Sequence, residues 1–234
     1  MNKKSNRVWG LRFIGFVAVL IFVFISLSCK SVQGAPNGQS TEQSADPAFL
    51  GDFDPIRLED AMALRLSFGK IKPTQIRLYF VPRTNVVEAH LRDGMNSVVL
   101  MFDAQQRRSL AEGIDLYAQA YALYAAGNKS ALPERKADRK NAFNRGGLSV
   151  AWGVLGTART AHTEFRTNYE FLEKGKPYFV LTAEGGEDME DSTVQSPLVH
   201  LYFSPAQLEA LSEITRQDAL QKHIDVLNEK AFAF

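Results

Sequence analysis

The stretch 98–110, VVLMFDAQQRRSL, changes from a strand pattern to a helix pattern within a single residue. Val98–Phe102 is an uninterrupted apolar run, which is typical of a buried strand. Asp103 and Gln106 have the spacing of a capping box, in which each side chain binds a free backbone N–H at the helix start. Residues 199–211, VHLYFSPAQLEAL, repeat this joint 101 positions later (199 − 98 and 211 − 110). The sequence therefore predicts two strand-to-helix joints of the same kind.

Alternating apolar residues predict four strands before the first joint. They cover residues 62–68, 75–81, 86–92 and 98–102. After Asp103, apolar residues recur at spacings of three and four from Leu110 to Tyr124, which predicts an amphipathic helix that ends at Gly127. The first half is thus predicted to be four strands followed by a helix.

The second half has the same order of patterns. Strands are predicted over residues 148–154, 163–172, 178–183 and 198–203. Ser204 is placed as a helix N-cap, Pro205 takes the first helical position, and a further helical run follows from Leu220. We therefore expect an α+β domain of two pseudo-repeats, residues 57–127 and 146–234, each a four-stranded antiparallel sheet followed by a helix.

Two stretches resemble the PUR and whirly families of single-stranded nucleic-acid-binding proteins. They are residues 75–80, QIRLYF, which a break and a strand follow, and residues 97–106, SVVLMFDAQQ. The resemblance implies repeats of four strands and a helix, and a sheet face that binds nucleic acid. Residues 82–85, PRTN, depart from the basic, glycine-rich turn of PUR strands, and residues 173–176, EKGK, match it in part.

The first thirty residues have the pattern of a secretion signal. Four basic residues precede residues 13–27, an apolar run without charge, and Ser26–Ser28 then lead to Cys29, the only cysteine. The run of about fifteen residues is shorter than the roughly 20 that a membrane-spanning helix needs. The segment resembles a bacterial lipoprotein signal, although Ser26 stands where that family has leucine. The resemblance implies a diacylglycerol on the Cys29 thiol and cleavage just before it; the alternative is an uncleaved membrane anchor.

These patterns divide the chain into three parts. Residues 1–28 are the predicted signal, and residues 29–48 are a predicted flexible tether, because they contain too few large apolar side chains to offset the entropy of ordering. Residues 49–234 are the predicted folded domain. The predicted location is the bacterial cell envelope, where the lipid holds the protein on the membrane and the domain faces the periplasm or the cell surface.

The charge of the mature chain argues against a protein that mainly neutralises phosphates. Four of the 27 Lys and Arg residues lie in the signal, so 23 remain against 26 Asp and Glu, a net charge of −3. No cysteine follows Cys29, which excludes disulfides and thiolate metal sites from the domain. Stability must therefore come from packing.

The sequence contains no HExxH, GxSxG or phosphate-binding glycine loop. We accordingly assign no catalytic residue, no cofactor and no metal. A possible binding face consists of outward residues with basic and aromatic side chains, on which a ligand could stack. Its predicted members are Arg77, Tyr79, Arg166, Phe179 and Tyr202.

The sequence favours a non-catalytic binding or interaction module whose protein or ligand partner is open. The alternative is a single-stranded nucleic-acid binder of the PUR or whirly type. A hydrolase or metal enzyme built on His90, His162 or His200 ranks last, and a homodimer is a further possibility.

Overall fold

The computed structural model describes residues 51–67, 69–93, 96–134, 140–154, 158–172 and 175–232. These residues form nine strands and three α-helices. The strands are β1 (Ile56–Arg57), β2 (Ala61–Ser67), β3 (Lys70–Val81), β4 (Val86–Asp93), β5 (Asn96–Phe102), β6 (Asn144–Val154), β7 (Arg159–Leu172), β8 (Lys176–Ala183) and β9 (Val199–Phe203). The helices are α1 (Ala104–Ala125), α2 (Pro205–Thr215) and α3 (Gln217–Phe232). Each of the eight predicted strands overlaps an observed one.

Eight of the strands close into one antiparallel barrel. Their order around the ring is β2-β9-β8-β7-β6-β5-β4-β3, and β3 pairs with β2 to close it. Two pairings join the halves of the chain: Val98 of β5 lies opposite Trp152 of β6, and Leu64 of β2 lies opposite Tyr202 of β9. The predicted α+β fold of two sheet-and-helix repeats, and with it the PUR-type repeat, is therefore wrong. Each four-stranded half has edges of unpaired N–H and C=O groups, and pairing between the halves satisfies these groups.

The core lies inside this ring and continues onto the helices. Side chains alternate between the interior and the outer surface of a barrel, and the inward residues, such as Phe80 and Leu100, are buried. Leu110 of α1 and Leu211 of α2 belong to the same buried cluster. A cavity of about 30 Å³ lies among these residues, which is room for a water molecule rather than an organic ligand. Side chains thus fill this part of the barrel.

Both predicted helix starts are confirmed. Asp103 Oδ1 accepts a hydrogen bond from the Gln106 N–H at 2.8 Å, and Gln106 Oε1 accepts one from the Asp103 N–H at 2.9 Å. Ser204 and Gln207 form the same reciprocal pair, at 3.4 and 2.9 Å. Gly127, just beyond α1, has a φ of +104°, a conformation that favours glycine at a helix end. Because β5 and β9 are four strands apart in either direction around the ring, the two joints lie on opposite sides of the barrel.

A buried arginine ties α1 to the turn before β4 and to α3. Arg107 is 7% exposed, and its guanidinium donates hydrogen bonds to the backbone oxygen of Asn85 at 2.6 Å and to Asn85 Oδ1 at 2.7 Å. It also donates to Gln217 Oε1 at 2.6 Å. Loss of hydration on burial lowers the pKa of Arg107 to about 10. The side chain remains charged at neutral pH, and the carbonyl groups around it replace water.

The predicted signal and tether, together with Cys29, lie outside the described residues. In the part of the chain that the structure describes, none of the helices combines the length and the apolar character needed to cross a membrane.

Candidate binding groove

Arg77 and Tyr79 lie on the outer surface of β3, because the intervening Leu78 and the next residue, Phe80, point into the core. Arg57 of β1 lies directly opposite Tyr79. Its Nη1 donates a hydrogen bond to the Tyr79 hydroxyl at 2.8 Å, and its Cζ lies 5.0 Å from the centre of the Tyr79 ring, within cation–π range. The Tyr79 ring is therefore held in position from the β1 side.

On the other side of β3, strand β4 brings His90 opposite Arg77 and Glu88 opposite Tyr79. The centres of the His90 and Tyr79 rings are 4.9 Å apart in an edge-on arrangement, which is a favourable geometry for an aromatic pair. His90 Nε2 lies 2.8 Å from a carboxylate oxygen of Glu88. Contacts thus run continuously across β1, β3 and β4 on this outer surface.

A groove of about 360 Å³ opens on the same surface. It is lined by Pro73, Thr74, Gln75, Arg77, Tyr79, His90, Leu91, Arg92 and Ser97. Arg77 lies opposite His90, and Arg92 follows two residues further along β4, so the two arginines are diagonal neighbours. Both arginines line this groove, so two extended guanidinium groups can reach one ligand. We call this set of nine residues the β3–β4 groove.

The cations near the β3–β4 groove differ in whether a carboxylate already pairs with them. Arg57 forms an ion pair with Asp60, and its pKa is raised, chiefly by its hydrogen bond to Tyr79. Arg77 and Arg92 are exposed, and neither guanidinium forms an ion pair or a hydrogen bond with another described residue. These two side chains supply the positive charge that remains open to a ligand.

Arg166 and Tyr202 of the predicted binding face lie away from this groove. Arg166 is on β7, four strands from β3 around the ring, and its Nε is 2.7 Å from a carboxylate oxygen of Glu184. Tyr202 on β9 is only 5% exposed, and its hydroxyl donates to Glu170 at 3.3 Å. Burial, followed by the charge of Glu170, raises the pKa of Tyr202 to about 12.

Phe179 points into the core, so the expectation that it lies on the outer surface is wrong. It is fully buried, and its ring centre is 5.5 Å from that of Tyr117 and 6.5 Å from that of Phe203. Nearly all of β8 is buried on both faces, so alternation in its sequence does not show which residues point inward. The structure therefore brings together only Arg77 and Tyr79 from the five predicted residues.

The three histidines considered for catalysis are also far apart. Three strand-to-strand steps separate His90 on β4 from His200 on β9. His162 Nδ1 lies 3.0 Å from Ser149 Oγ in an exposed pair. Burial, reinforced by the charge of Arg166, lowers the pKa of His200. Across the described ranges, no three His, Cys, Asp or Glu side chains are grouped so that they could hold a metal ion.

Arg57, His90 and Arg92 belong to the candidate site, but the sequence reasoning did not assign them to a binding face. The pairing register of the two strands predicted at 75–81 and 86–92 would have identified His90 and Arg92, because it places His90 opposite Arg77. Arg57 gave no signal, because β1 contains two residues and shows no periodicity.

Two further grooves lie along α1 where it packs near α2. Their volumes are about 410 and 480 Å³, and Ile114, Ser212 and Arg216 contribute to both. Acidic and basic side chains both line these grooves. The first groove has three acidic residues and one arginine, a charge that does not favour an anion. The second has three arginines and Asp218, but Arg107 is hydrogen-bonded to Asn85 and Gln217 and Arg216 is paired with Asp218. The β3–β4 groove, with two arginines that have no carboxylate partner among the described residues, is therefore the better candidate for an anion.

Comparison with known proteins relates this chain to Treponema proteins. An uncharacterized protein of Treponema pallidum (strain Nichols) is 25% identical over 235 residues, covering 97% of this chain and 77% of the relative. No solved structure matches, and neither the lipoprotein nor the PUR resemblance gains support from these comparisons. A family described as "Uncharacterised Treponema protein" matches residues 50–222, which is most of the chain and includes every strand of the barrel. The chain therefore belongs to this Treponema family.

Proposed function

We propose that this protein is a non-catalytic binding module that recognises an anionic group in the β3–β4 groove. One observation carries the proposal: Arg77 and Arg92 extend from neighbouring strands into one groove without a carboxylate partner among the described residues. Guanidinium groups bind carboxylates and phosphates through two parallel hydrogen bonds. The ligand is therefore expected to carry one of these groups.

The surroundings of the two arginines suit a ligand that also has a planar or apolar part. The Tyr79 and His90 rings are fixed by Arg57 and Glu88, so they can contact a ligand without first losing side-chain freedom. Strands of a closed barrel position these side chains more rigidly than loops would. The Tyr79 and His90 side chains are therefore expected to keep their positions when a ligand binds.

Titration calorimetry of the full chain with pyrophosphate, citrate and oligothymidylate tests the proposal. We expect at least one anion to bind, and Arg77→Gln to weaken that binding about ten- to a hundredfold, since a charged hydrogen bond contributes about 1.5–3 kcal/mol. Arg108→Gln is the matched control, because Arg108 is an exposed arginine of α1 outside the groove. Absence of binding for all three anions, or equal weakening by both substitutions, would contradict the proposal.

A single-stranded nucleic acid is a second candidate ligand, because the groove combines arginines with aromatic rings on which bases could stack. The net charge of −3 for the chain after residue 28 opposes this reading. We expect oligothymidylate to bind no tighter than about micromolar at physiological salt. Tight binding whose affinity falls steeply with salt would favour the nucleic-acid function instead.

The proposed location, a lipid-anchored position in the cell envelope, rests on the sequence around Cys29 alone. Cys29→Ala should abolish labelling of the protein by a radioactive fatty acid and leave the signal uncleaved or the domain unanchored. Each buried CH₂ of an acyl chain contributes about 0.8 kcal/mol to membrane binding, so that two chains hold firmly where one is marginal. An unchanged mature mass and unchanged membrane association in the variant would refute the anchor.

A further inference from the structure

The end of the hairpin formed by β2 and β3 has no strand neighbours outside the hairpin among the described residues. Leu66 and Ser67 of β2 pair only with β3, and Lys70–Ile76 of β3 pair only with β2. Pairing of β3 with β4 begins at Arg77, and pairing of β2 with β9 includes only Leu64 and Arg65. This end of the hairpin therefore lies beyond the paired part of the barrel.

One face of the hairpin is apolar and exposed. Met62, Leu66 and Ile71 have exposed fractions of 46%, 38% and 39%. Leu66 lies directly opposite Ile71, and Leu64 lies opposite Pro73 on the next rung of the same face. Residues opposite each other on an antiparallel pair are about 4.5–5.5 Å apart, so these side chains form one continuous strip. We call it the hairpin strip.

The residues around the hairpin strip are basic. Residues 62–75, which form the hairpin end, contain Arg65, Lys70 and Lys72 and no acidic residue. Arg65 is buried, and the neighbouring Asp60 is already paired with Arg57, so the two lysines supply the exposed charge. Lys70 and Lys72 are exposed and alternate with Ile71 and Pro73. The hairpin end therefore carries an apolar face and a positively charged face.

We infer that the hairpin end docks on the surface of a lipid bilayer that contains anionic phospholipid. Amphipathic elements with aliphatic residues on one face and lysines on the other bury the apolar face about 5–10 Å into the headgroup region. Lysine stems can lie along the apolar layer while the ammonium groups reach lipid phosphates. A narrow hairpin end suits insertion into lipid better than contact with a flat protein surface, which needs about 800 Å² from each partner. The hairpin strip adjoins the β3–β4 groove at Pro73, which belongs to both, but the inference does not depend on the anion-binding role of the groove.

A fluorescent label at the hairpin end tests the inference in the full chain. Cys29→Ser removes the native thiol, and Ile71→Cys then carries an environment-sensitive dye. Vesicles of phosphatidylcholine, with and without one-third phosphatidylglycerol, include a phospholipid with a nitroxide quencher. We expect quenching of the dye in the anionic vesicles, and weak quenching for the same dye at Leu123→Cys, an exposed position of α1.

Charge variants of the same labelled protein measure how much the lysines of the hairpin end contribute to vesicle binding. Lys70→Gln with Lys72→Gln should raise the lipid concentration for half-maximal quenching about twenty-fivefold, since each lysine near an anionic surface contributes about fivefold. Lys222→Gln with Lys230→Gln, at two exposed positions of α3, should leave it unchanged. All variants keep the same N-terminal segment, so its own affinity for membranes cancels.

Three outcomes would overturn the inference. They are equal quenching at positions 71 and 123, quenching that does not depend on phosphatidylglycerol, and a change in dye environment that depends on protein concentration without vesicles. The last result would show that a second copy of the chain covers the hairpin strip.

Discussion

Replacing Phe179 by alanine tests the closed barrel most directly, because this side chain was expected on the outer surface and lies in the core. Burial of a phenylalanine contributes about 1.5–3 kcal/mol, and the cavity that remains after truncation brings the typical loss to about 3–5 kcal/mol. Phe179 is fully buried and contacts two aromatic rings, Tyr117 and Phe203. Aromatic pairs add about 0.5–1.5 kcal/mol each. We therefore expect Phe179→Ala to reduce the free energy of unfolding by about 4 kcal/mol.

Urea denaturation followed by circular dichroism measures this loss, and Tyr178→Ala is the matched control. Tyr178 precedes Phe179 on β8 but is only partly buried, on the opposite face, so its truncation should cost about 1 kcal/mol or less. A 4 kcal/mol loss should lower the melting temperature by about 8–16 °C for a domain of this size. If the two substitutions cost the same, or Tyr178→Ala costs more, then β8 pairs in a register shifted by one residue, which would turn every side chain to the other face.

Two further predictions concern the helix caps and the half-buried His200. Asp103→Ala and Ser204→Ala should each reduce the free energy of unfolding by about 1 kcal/mol. Each should shift a single unfolding transition, because α1 and α2 share one core with the ring. Two transitions, each sensitive to one cap, would mean that the halves fold independently. Lowering the pH from about 7.5 to about 5.5 should destabilise the wild type more than His200→Gln. Burial lowers the pKa of His200 below its ordinary 6.5, so the unfolded chain takes up the proton first; the stabilisation is full above pH 6.5 and is lost as the pH falls through the folded pKa. His223→Gln, at an exposed position of α3, should keep the wild-type dependence, and an identical dependence in all three proteins would show that His200 has no part in it.

Local features of this fold could be predicted from sequence, because they depend on residues close together in the chain. The capping residues Asp103 and Ser204 satisfy N–H groups three positions away, and the eight longer strands have apolar runs or alternation that identify them. Arg77 and Tyr79 were placed on an outer face correctly, because their neighbours in β3 alternate without ambiguity.

Closure of the barrel could not be predicted in the same way, because it depends on contacts between distant residues. Leu64 pairs with Tyr202 across the length of the domain, and nothing in either strand alone specifies that partner. The inward direction of Phe179 could not be predicted for a related reason, because β8 is buried on both faces and its sequence does not show which face points inward. Only Arg77 and Tyr79 of the β3–β4 groove could be predicted from sequence, because His90 and Arg92 join Arg77 through strand pairing rather than through a motif.

Closure also restricts how a partner can bind this protein. An open sheet offers edge strands to which an extended peptide can add by backbone hydrogen bonds. Here each strand of the ring has a neighbour on both sides. Among the described residues, some strand ends extend beyond these pairings, including residues 70–76 of β3 and residues 144–148 of β6. Side chains fill the interior around the small core cavity. Recognition is therefore expected to use mainly side chains on the outer surface. That surface offers most where Arg77 and Arg92 have no carboxylate partner among the described residues and where Ile71 is exposed on the neighbouring hairpin.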